Sequence, residues 1–231
     1  MGSMVIEGAS GSASPAALAC AQEIESYFAG VIAELEVLRD GLTEVLSRDR
    51  LTAGDLVEAA HPLAGVMLGR LPLFGGGFVA APGFLADHHL YLAWWQGEEQ
   101  QLLAQSTMSG SGDPLDYSRF EWFRAAIETG RPHVTGPFVD YVCSDEYMLT
   151  TTAPVLVRGR AVGVVGADTL LDTFESLMLG SVREAGATVV NDANRVVLSA
   201  DPRVPPGRLV PVEDHGTSVR CGDLPLTVLV G

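Results

Sequence analysis

An apolar residue recurs every three or four positions near the N-terminus of the chain. The recurring residues are Ile24, Phe28, Val31, Leu35, Leu38, Leu42 and Val45. This spacing predicts an amphipathic helix over residues 16–47, which Ser14 and Pro15 can cap and start. At 1.5 Å per residue the helix would be roughly 45 Å long, longer than a small domain is wide. We therefore predict a homodimer through this helix, with packing along the chain's own sheet as the alternative.

From residue 52 onward the pattern changes to short strands and shorter helices. The predicted elements are helices over 56–68, 117–129 and 170–179, strands over 78–81, 147–157, 161–168 and 224–230, hairpins over 89–106 and 188–199, and a turn-rich segment over 135–141. We interpret Gly75, Gly76 and Gly77 as a loop, because no Lys-Ser or Lys-Thr pair follows, as it does in a phosphate-binding loop. Helices mixed with antiparallel hairpins indicate an α+β fold.

The charge of the chain limits its partners. Its 231 residues include 29 acidic and 14 basic side chains, which give a net charge of −15. Nucleic acids and anionic membrane surfaces bind clustered Lys and Arg, so we expect neither as a partner. No segment reaches the ~18 consecutive apolar residues that a membrane span needs, and the N-terminus lacks a signal-peptide pattern. We predict a cytoplasmic protein, with an extracytoplasmic domain of a membrane receptor as the alternative.

The residues that could suggest catalysis or metal binding have the wrong spacing for either. His88 and His89 are neighbours, so on a strand their side chains would point to opposite faces and could not share a metal ion. The Gly-x-Ser-x-Gly motif of a serine nucleophile is absent. The three cysteines, Cys20, Cys143 and Cys221, form no Cys-x-x-Cys pair. We predict that the protein is not an enzyme and holds no metal and no cofactor.

Three separated blocks carry a family resemblance. They read EWFRAA over 121–126, TGPFVD over 135–140 and GVVGAD over 163–168. In this order they resemble the Cache family of PAS-like sensor domains, and TVVNDANRVVLS over 188–199 is similar to the start of the second module in double-Cache members. The resemblance implies an α+β, PAS-like Cache fold with a long N-terminal helix and a central antiparallel sheet flanked by helices. Together with the Gly-, Ser- and Ala-rich N-terminus, it divides the chain into a flexible tail or tag over 1–15, the helix over 16–50, a ligand-binding module over 51–170 and a short second module over 171–231.

The same resemblance implies a position for the ligand. Family members that bind amino acids hold the ligand carboxylate with the Arg of an Arg-x-Trp-Tyr block and its ammonium group with an Asp. Trp122 and Phe123 match the aromatic pair and Asp168 matches the Asp, but Phe120 occupies the Arg position. An amine or another small polar metabolite is therefore expected as readily as an amino acid. The candidate ligand-binding residues are Trp95, Phe120, Trp122, Phe123, Phe138, Asp140, Tyr141, Tyr147 and Asp168.

Physical chemistry supports a cation beside these side chains. A buried carboxylate without a partner costs several kcal/mol, which a ligand ammonium group would offset. Aromatic walls would add about 0.5–2 kcal/mol each through cation–π contacts. Trp94 and Trp95 are adjacent on a predicted strand, so one of them faces the pocket, and we assign that place to Trp95. The alternative for Asp168 is a cap on the helix that begins near residue 170.

Two function classes remain open from the sequence. The first is a non-catalytic sensor module that binds a small molecule and signals through a dimer or a partner protein. The second is an interaction or scaffold protein that retains the Cache fold without a ligand, which the missing Arg at position 120 keeps open.

Overall fold

The computed structural model describes residues 13–103, 116–139, 146–212 and 215–231. The predicted tail over 1–15 therefore lies almost entirely outside the described residues. Helix α1 runs over Pro15–Leu46, and the Ser14 hydroxyl oxygen accepts a hydrogen bond from Ala17 N at 3.1 Å. The predicted helix and its N-terminal cap are confirmed.

The apolar seam of α1 is buried within its own chain. From Ile24 to Val45 the seam residues are at most 6% exposed. The N-terminal half packs in one hydrophobic core and the C-terminal half, from Val31 onward, packs in another. The helix is long because it spans two sheets of one chain. The alternative to the dimer, packing along the chain's own sheets, therefore explains its length. The homodimer stays a prediction, no longer supported by the length of the helix.

Six described strands form the first sheet in the order β3-β2-β1-β6-β5-β4, and all neighbouring pairs are antiparallel. The strands are β1 (Gly75–Ala80), β2 (Leu92–Gln96), β3 (Gln101–Leu102), β4 (His133–Val139), β5 (Tyr147–Val157) and β6 (Arg160–Leu170). Helix α2 (Ala53–Arg70) joins α1 on one side of this sheet, in the hydrophobic core that contains the C-terminal half of α1. Helix α3 (Glu121–Thr129) packs on the other side.

Helix α4 (Leu171–Ala185) leads from β6 into the second sheet. This sheet contains β7 (Ala187–Asn191), β8 (Val196–Ser199), β9 (Thr217–Arg220) and β10 (Leu226–Val230), in the order β8-β7-β10-β9. Helices α1 and α4 pack on one side of it, around Phe28 and Phe174, whose ring centroids are 5.5 Å apart. The predicted α+β fold, with its long N-terminal helix and antiparallel sheets, is confirmed.

Two of the predicted local structures are wrong. The glycine run over 75–77 is not a loop; it is the first half of the buried strand β1. The segment over 135–141 is not a free turn either: its first part belongs to β4, whose pairing with β5 shifts between Thr135 and Phe138. Gly136 and Pro137 occupy that shift, so the turn-forming residues produce a β-bulge within a strand.

Candidate ligand-binding site

One face of the first sheet lies beneath helix α3. Val79, Trp94 and Val164 share a hydrophobic cluster with Phe123 of that helix. Side chains alternate along a strand, so Asp168 on β6 lies on the same face as Val164, four residues earlier. We call this side of the sheet the α3 face, and the opposite side, packed against α1 and α2, the helix-pair face.

A row of polar side chains crosses the α3 face. Thr135 on β4 pairs with Thr150 on β5, and Thr150 pairs with Asp168 on β6. Directly paired residues of antiparallel strands project to the same face of a sheet, so these three side chains stand next to one another. The next residue in the row is Gly75 on β1, which has no side chain. The row thus places one carboxylate and two hydroxyl groups beside Gly75, where the missing side chain leaves room for a neighbouring ring.

Asp168 is held within this row by the first sheet. Its carboxylate accepts a hydrogen bond from the Thr150 hydroxyl at 2.6 Å, and its carbonyl oxygen accepts one from Phe74 N at 2.8 Å. The side chain is only half-buried. Helix α4 begins at Leu171, three residues after Asp168, with Leu170 at the cap position and no side-chain hydrogen bond there. The carboxylate of Asp168 therefore does not cap α4, and it faces the α3 side of the sheet.

Thr135 supplies a polar group that lacks a partner. The residue is 7% exposed, and its hydroxyl makes no hydrogen bond within the described part of the chain. A buried hydroxyl left in this state costs about 1–3 kcal/mol, so such a group marks a place where a ligand or a water molecule completes the structure. Thr151 has the same property, but it lies on the helix-pair face. Thr135 is thus the unpartnered hydroxyl on the side of Asp168.

Trp94 forms an aromatic floor on the α3 face. A Cβ atom added to Gly166 would lie 3.1 Å from Cη2 of this indole, and one added to Gly75 would lie 2.9 Å from its Nε1. The ring therefore extends across β1 and β6, over the two glycines that leave space for it. This packing is a physical reason for glycine within these strands, where the residue is otherwise unfavourable.

Trp122 and Phe120 are the exposed edge of an aromatic cluster at the start of α3. The ring of Trp122 is stacked 6.0 Å from that of Tyr117 and lies 6.3 Å from Phe120, and Phe120 is 37% exposed. The carbonyl oxygen of Trp122 accepts a hydrogen bond from the Thr152 hydroxyl at 2.6 Å, which fixes α3 to β5. Phe123 is 4% exposed and belongs to the core beneath the helix.

Phe138 lies on the same side of the sheet as Asp168. It pairs with Met148, which in turn pairs with Leu170, two residues after Asp168. The alternation of side chains along β6 therefore places Phe138, Leu170 and Asp168 together on the α3 face. Its half-buried ring lies just beyond the bulge in β4.

The structure corrects two of the predicted site residues and does not describe two others. Trp95 pairs with Gly76, lies on the helix-pair face and stacks on His61 at 5.3 Å, whereas Trp94 lies on the α3 face with Asp168. Tyr147 also alternates away from Asp168, and its hydroxyl lies beside Gly207 of the loop after β8. Strand register decides both cases. The positions 140 and 141, Asp and Tyr, lie outside the described residues.

The basic side chains closest in sequence to the missing Arg position are held by acids on the surface. Arg119 forms an ion pair with Asp116 at 2.9 Å, and Arg124 forms one with Glu128 at 2.8 Å. Both guanidinium groups are largely exposed. Neither arginine takes over from the Arg that Phe120 replaces. The described site is therefore better suited to bind a ligand cation, through Asp168, than a ligand carboxylate.

A cavity of about 480 Å³ opens at the β2–β3 edge of the first sheet. Its lining includes Phe74, Gln96, Glu98 and Glu99. Gln96 pairs with Gly75, so the cavity adjoins the end of the polar row and adds acidic groups there. No cluster of three or more metal-ligating side chains occurs in the described ranges, and no helix in them is both long and apolar enough to cross a bilayer.

The sequence matches a known sensor family. Residues 67–176 match the first PDC sensor domain of proteins like the methyl-accepting chemotaxis proteins. This range covers β1 to β6 and the start of α4. A sequence search of curated proteins found no significant match.

Solved structures of sensor domains share the fold along most of the chain. The ligand-binding domain of the Pseudomonas aeruginosa amino acid chemoreceptor PctC, in complex with GABA, is 19% identical with a TM-score of 0.59, over 93% of this chain and 96% of that one. The sensory domain of the Campylobacter jejuni chemoreceptor Tlp3, with isoleucine bound, is 13% identical with a TM-score of 0.65, over 93% and 88%. The ligand-binding domain of the Pseudomonas fluorescens chemoreceptor CtaA, in complex with L-valine, is 13% identical with a TM-score of 0.63, over 93% of each chain. Residues 67–176 thus match the PDC sensor domains in sequence, and the fold of the chain is that of the Cache-like sensor domains.

Proposed function

We propose that this chain is a non-catalytic sensor module that binds a small amine, an amino acid or a related polar metabolite. The ligand lies on the α3 face of the module over 51–170, and the smaller module over 171–231 takes part in the response. The observation that carries the proposal is the polar row: Asp168 and Thr150 stand beside Thr135, whose buried hydroxyl has no partner within the described residues.

The ligand is proposed to place its ammonium group near Asp168. The carboxylate would accept charge-assisted hydrogen bonds, which are about twice as strong as neutral ones. Trp94 and Trp122 supply π-surfaces on the same face, and a cation over such a ring gains about 0.5–2 kcal/mol. Hydroxyl groups of Thr135 and Thr150 then complete the polar contacts.

Recognition of a ligand carboxylate is the weaker half of the proposal. Phe120 stands where related amino acid sensors have an Arg, and Arg119 and Arg124 are already paired on the surface. We therefore favour an amine over a zwitterionic amino acid. GABA, valine and isoleucine, which the similar chemoreceptor domains hold in their solved structures, are the reference compounds against which an amine should be compared.

The signal is proposed to leave the module through α1, which packs against both sheets, to a second copy or to a partner protein. A homodimer through α1 remains a prediction that sedimentation analysis can test. The cytoplasmic location predicted from the sequence also remains a prediction. One structural neighbour, 15% identical with a TM-score of 0.59, is the extracellular domain of a putative histidine kinase, and an extracytoplasmic position is the alternative that cell fractionation would distinguish.

A scaffold protein without a ligand is the second candidate, favoured by Phe120 alone. A thermal-shift screen separates the two. The probes are putrescine, choline, GABA, L-valine and succinate. A probe at about 100 times its dissociation constant stabilises the folded protein by about 2.7 kcal/mol, which raises Tm by several degrees. We expect a shift with an amine. If none of the probes and no wider panel of amines and amino acids shifts Tm, the scaffold function replaces the sensor.

A further inference from the structure

The two sheets are joined next to the polar row by one side-chain hydrogen bond. Asn191, the last residue of β7 in the second sheet, donates from Nδ2 to the carbonyl oxygen of Gly136 at 2.8 Å. Gly136 lies in the β-bulge of β4, directly after Thr135. The residue that carries the unpartnered hydroxyl is therefore adjacent to the point where the second sheet holds the first.

Asn191 is oriented for this contact by its own hairpin. Its Oδ1 accepts hydrogen bonds from Ala193 N at 3.0 Å and from Arg195 N at 2.9 Å. With Oδ1 engaged in the turn, the Nδ2 group points away from it toward the bulge. One amide thus has two separable roles: the oxygen closes the β7–β8 hairpin, and the nitrogen holds Gly136.

The backbone that Asn191 holds is closely packed against β5. Gly136 has φ of 132°, a conformation that side chains rarely allow, and a Cβ atom there would lie 2.5 Å from the Met148 carbonyl oxygen. The bulge also places Phe138 on the α3 face, beyond Thr135. A shift of the Gly136 carbonyl must therefore move Thr135 or Phe138 relative to Asp168.

We propose that Asn191 is a positioning residue of the ligand site, contributed by the second sheet. Its Nδ2 group fixes the β4 bulge so that the Thr135 hydroxyl and the Phe138 ring face Asp168. The same bond transmits displacement of the bulge by a ligand to the β7–β8 hairpin. The inference rests on the proposed function for its ligand, but the hold of Asn191 on the bulge exists without a ligand and can be measured without one.

The test uses Asn191→Asp in the full chain. Aspartate keeps an oxygen acceptor for the two turn hydrogen bonds. It removes the donor to Gly136 and places a negatively charged oxygen beside the Gly136 carbonyl, which releases the bulge from the hairpin. Hydrogen exchange followed by mass spectrometry should show faster exchange in 133–139 and unchanged exchange in 195–199. Asp192→Asn is the matched control, because Asp192 lies in the turn of the same hairpin, pairs with Arg220 of β9 and makes no bond to the first sheet within the described residues. Its exchange in 133–139 should equal that of the wild type.

Binding is measured in the same proteins with the probe that gives the largest thermal shift among putrescine, choline and GABA. Loss of one hydrogen bond of about 1 kcal/mol predicts roughly fivefold weaker binding for Asn191→Asp and no change for Asp192→Asn. In the wild type the probe should also slow exchange in 188–199. Asn191→Ala, which loses both roles, should add faster exchange in the hairpin, and it replaces Asn191→Asp if the latter does not fold.

The outcomes separate this inference from the proposed function. If exchange in 133–139 is the same in Asn191→Asp and wild type, or rises equally in Asp192→Asn, Asn191 does not position the bulge and the inference is overturned. If no probe binds the wild type, the proposed function is contradicted, and the exchange comparison still decides whether Asn191 positions the bulge.

Discussion

The buried hydroxyl of Tyr117 should be one of the most important polar groups for the stability of the site. It donates to the Ala80 carbonyl oxygen at 2.6 Å and accepts from Tyr91 N at 2.9 Å, and the side chain is 1% exposed. These bonds join the segment before α3 to β1 and to the chain entering β2. The ring also stacks on Trp122, so the aromatic cluster of the site is tied to the sheet through this residue.

The change Tyr117→Phe removes the hydroxyl and keeps the ring. The Tyr91 N–H would then be buried without an acceptor, at about 1–3 kcal/mol, and the Ala80 oxygen would lose one of its partners. A carbonyl oxygen has two lone pairs, so the larger cost falls on the N–H group. We expect the free energy of unfolding to fall by about 2–3 kcal/mol, which lowers Tm by roughly 5–10 °C in a chain of this size.

Chemical denaturation in urea, followed by tryptophan fluorescence, measures this loss. Tyr147→Phe is the matched control, because Tyr147 is 43% exposed and its hydroxyl makes no hydrogen bond to a described residue. The control should stay within about 0.5 kcal/mol of the wild type. The reasoning is refuted if Tyr117→Phe costs no more than Tyr147→Phe, since the buried hydroxyl would then carry no net stability.

Three further predictions follow from single residues. Gly166→Ala should destabilise the protein by about 1–3 kcal/mol and weaken ligand binding, because the added methyl group would press on Trp94. Gly180→Ala is the control: it lies on an exposed turn of α4 with nothing within 4 Å of the added carbon, so it should stabilise the protein by up to ~1 kcal/mol. Urea denaturation measures the stability of both variants, and titration calorimetry measures their ligand binding. Burial raises the pKa of Tyr117 from 10.0 to about 12. The stability that its neutral form contributes is therefore fully present below pH 10 and is lost between pH 10 and 12. This loss should be absent from the alkaline unfolding curves of Tyr117→Phe. Burial also raises the pKa of the Cys221 thiol to about 12, so mass spectrometry should find this cysteine unalkylated by iodoacetamide in the native protein at pH 8 and alkylated after unfolding.

The elements with long, regular patterns could be predicted from the sequence. The seam of α1 and the runs that became β5 and β6 have unbroken periodicity, and their local preferences agree with the fold. What the sequence could not give is which surface would bury the seam: a helix longer than one domain fits a second chain or a second sheet equally well. The structure shows a second sheet of the same chain.

The predictions from sequence were wrong where a contact between residues distant in sequence overrides a local structural preference. Glycines disfavour strands, yet Gly75 and Gly76 lie in β1, and at Gly75 the indole of Trp94 needs the space. Two adjacent tryptophans alternate on any strand, so only the pairing of β2 with β1 shows that Trp94, rather than Trp95, faces α3. The family motif pointed to Asp168 and Trp122 as candidates, but it carried no information on Thr135, whose hydroxyl is noticed only because it makes no hydrogen bond within the described residues.

Titration calorimetry of an amine into Asp168→Asn most directly tests the central claim, that a carboxylate on the α3 face holds a cationic ligand. The variant keeps the size and an oxygen acceptor and removes the negative charge, and Asp172→Asn, an exposed acid in the first turn of α4, is the matched control. We expect the Kd of the amine to rise about 30- to 100-fold in Asp168→Asn, which corresponds to about 2–3 kcal/mol for losing one side of a partly buried charge pair. The control should bind as the wild type does. An unchanged Kd in Asp168→Asn, or an equal weakening in Asp172→Asn, would contradict the account.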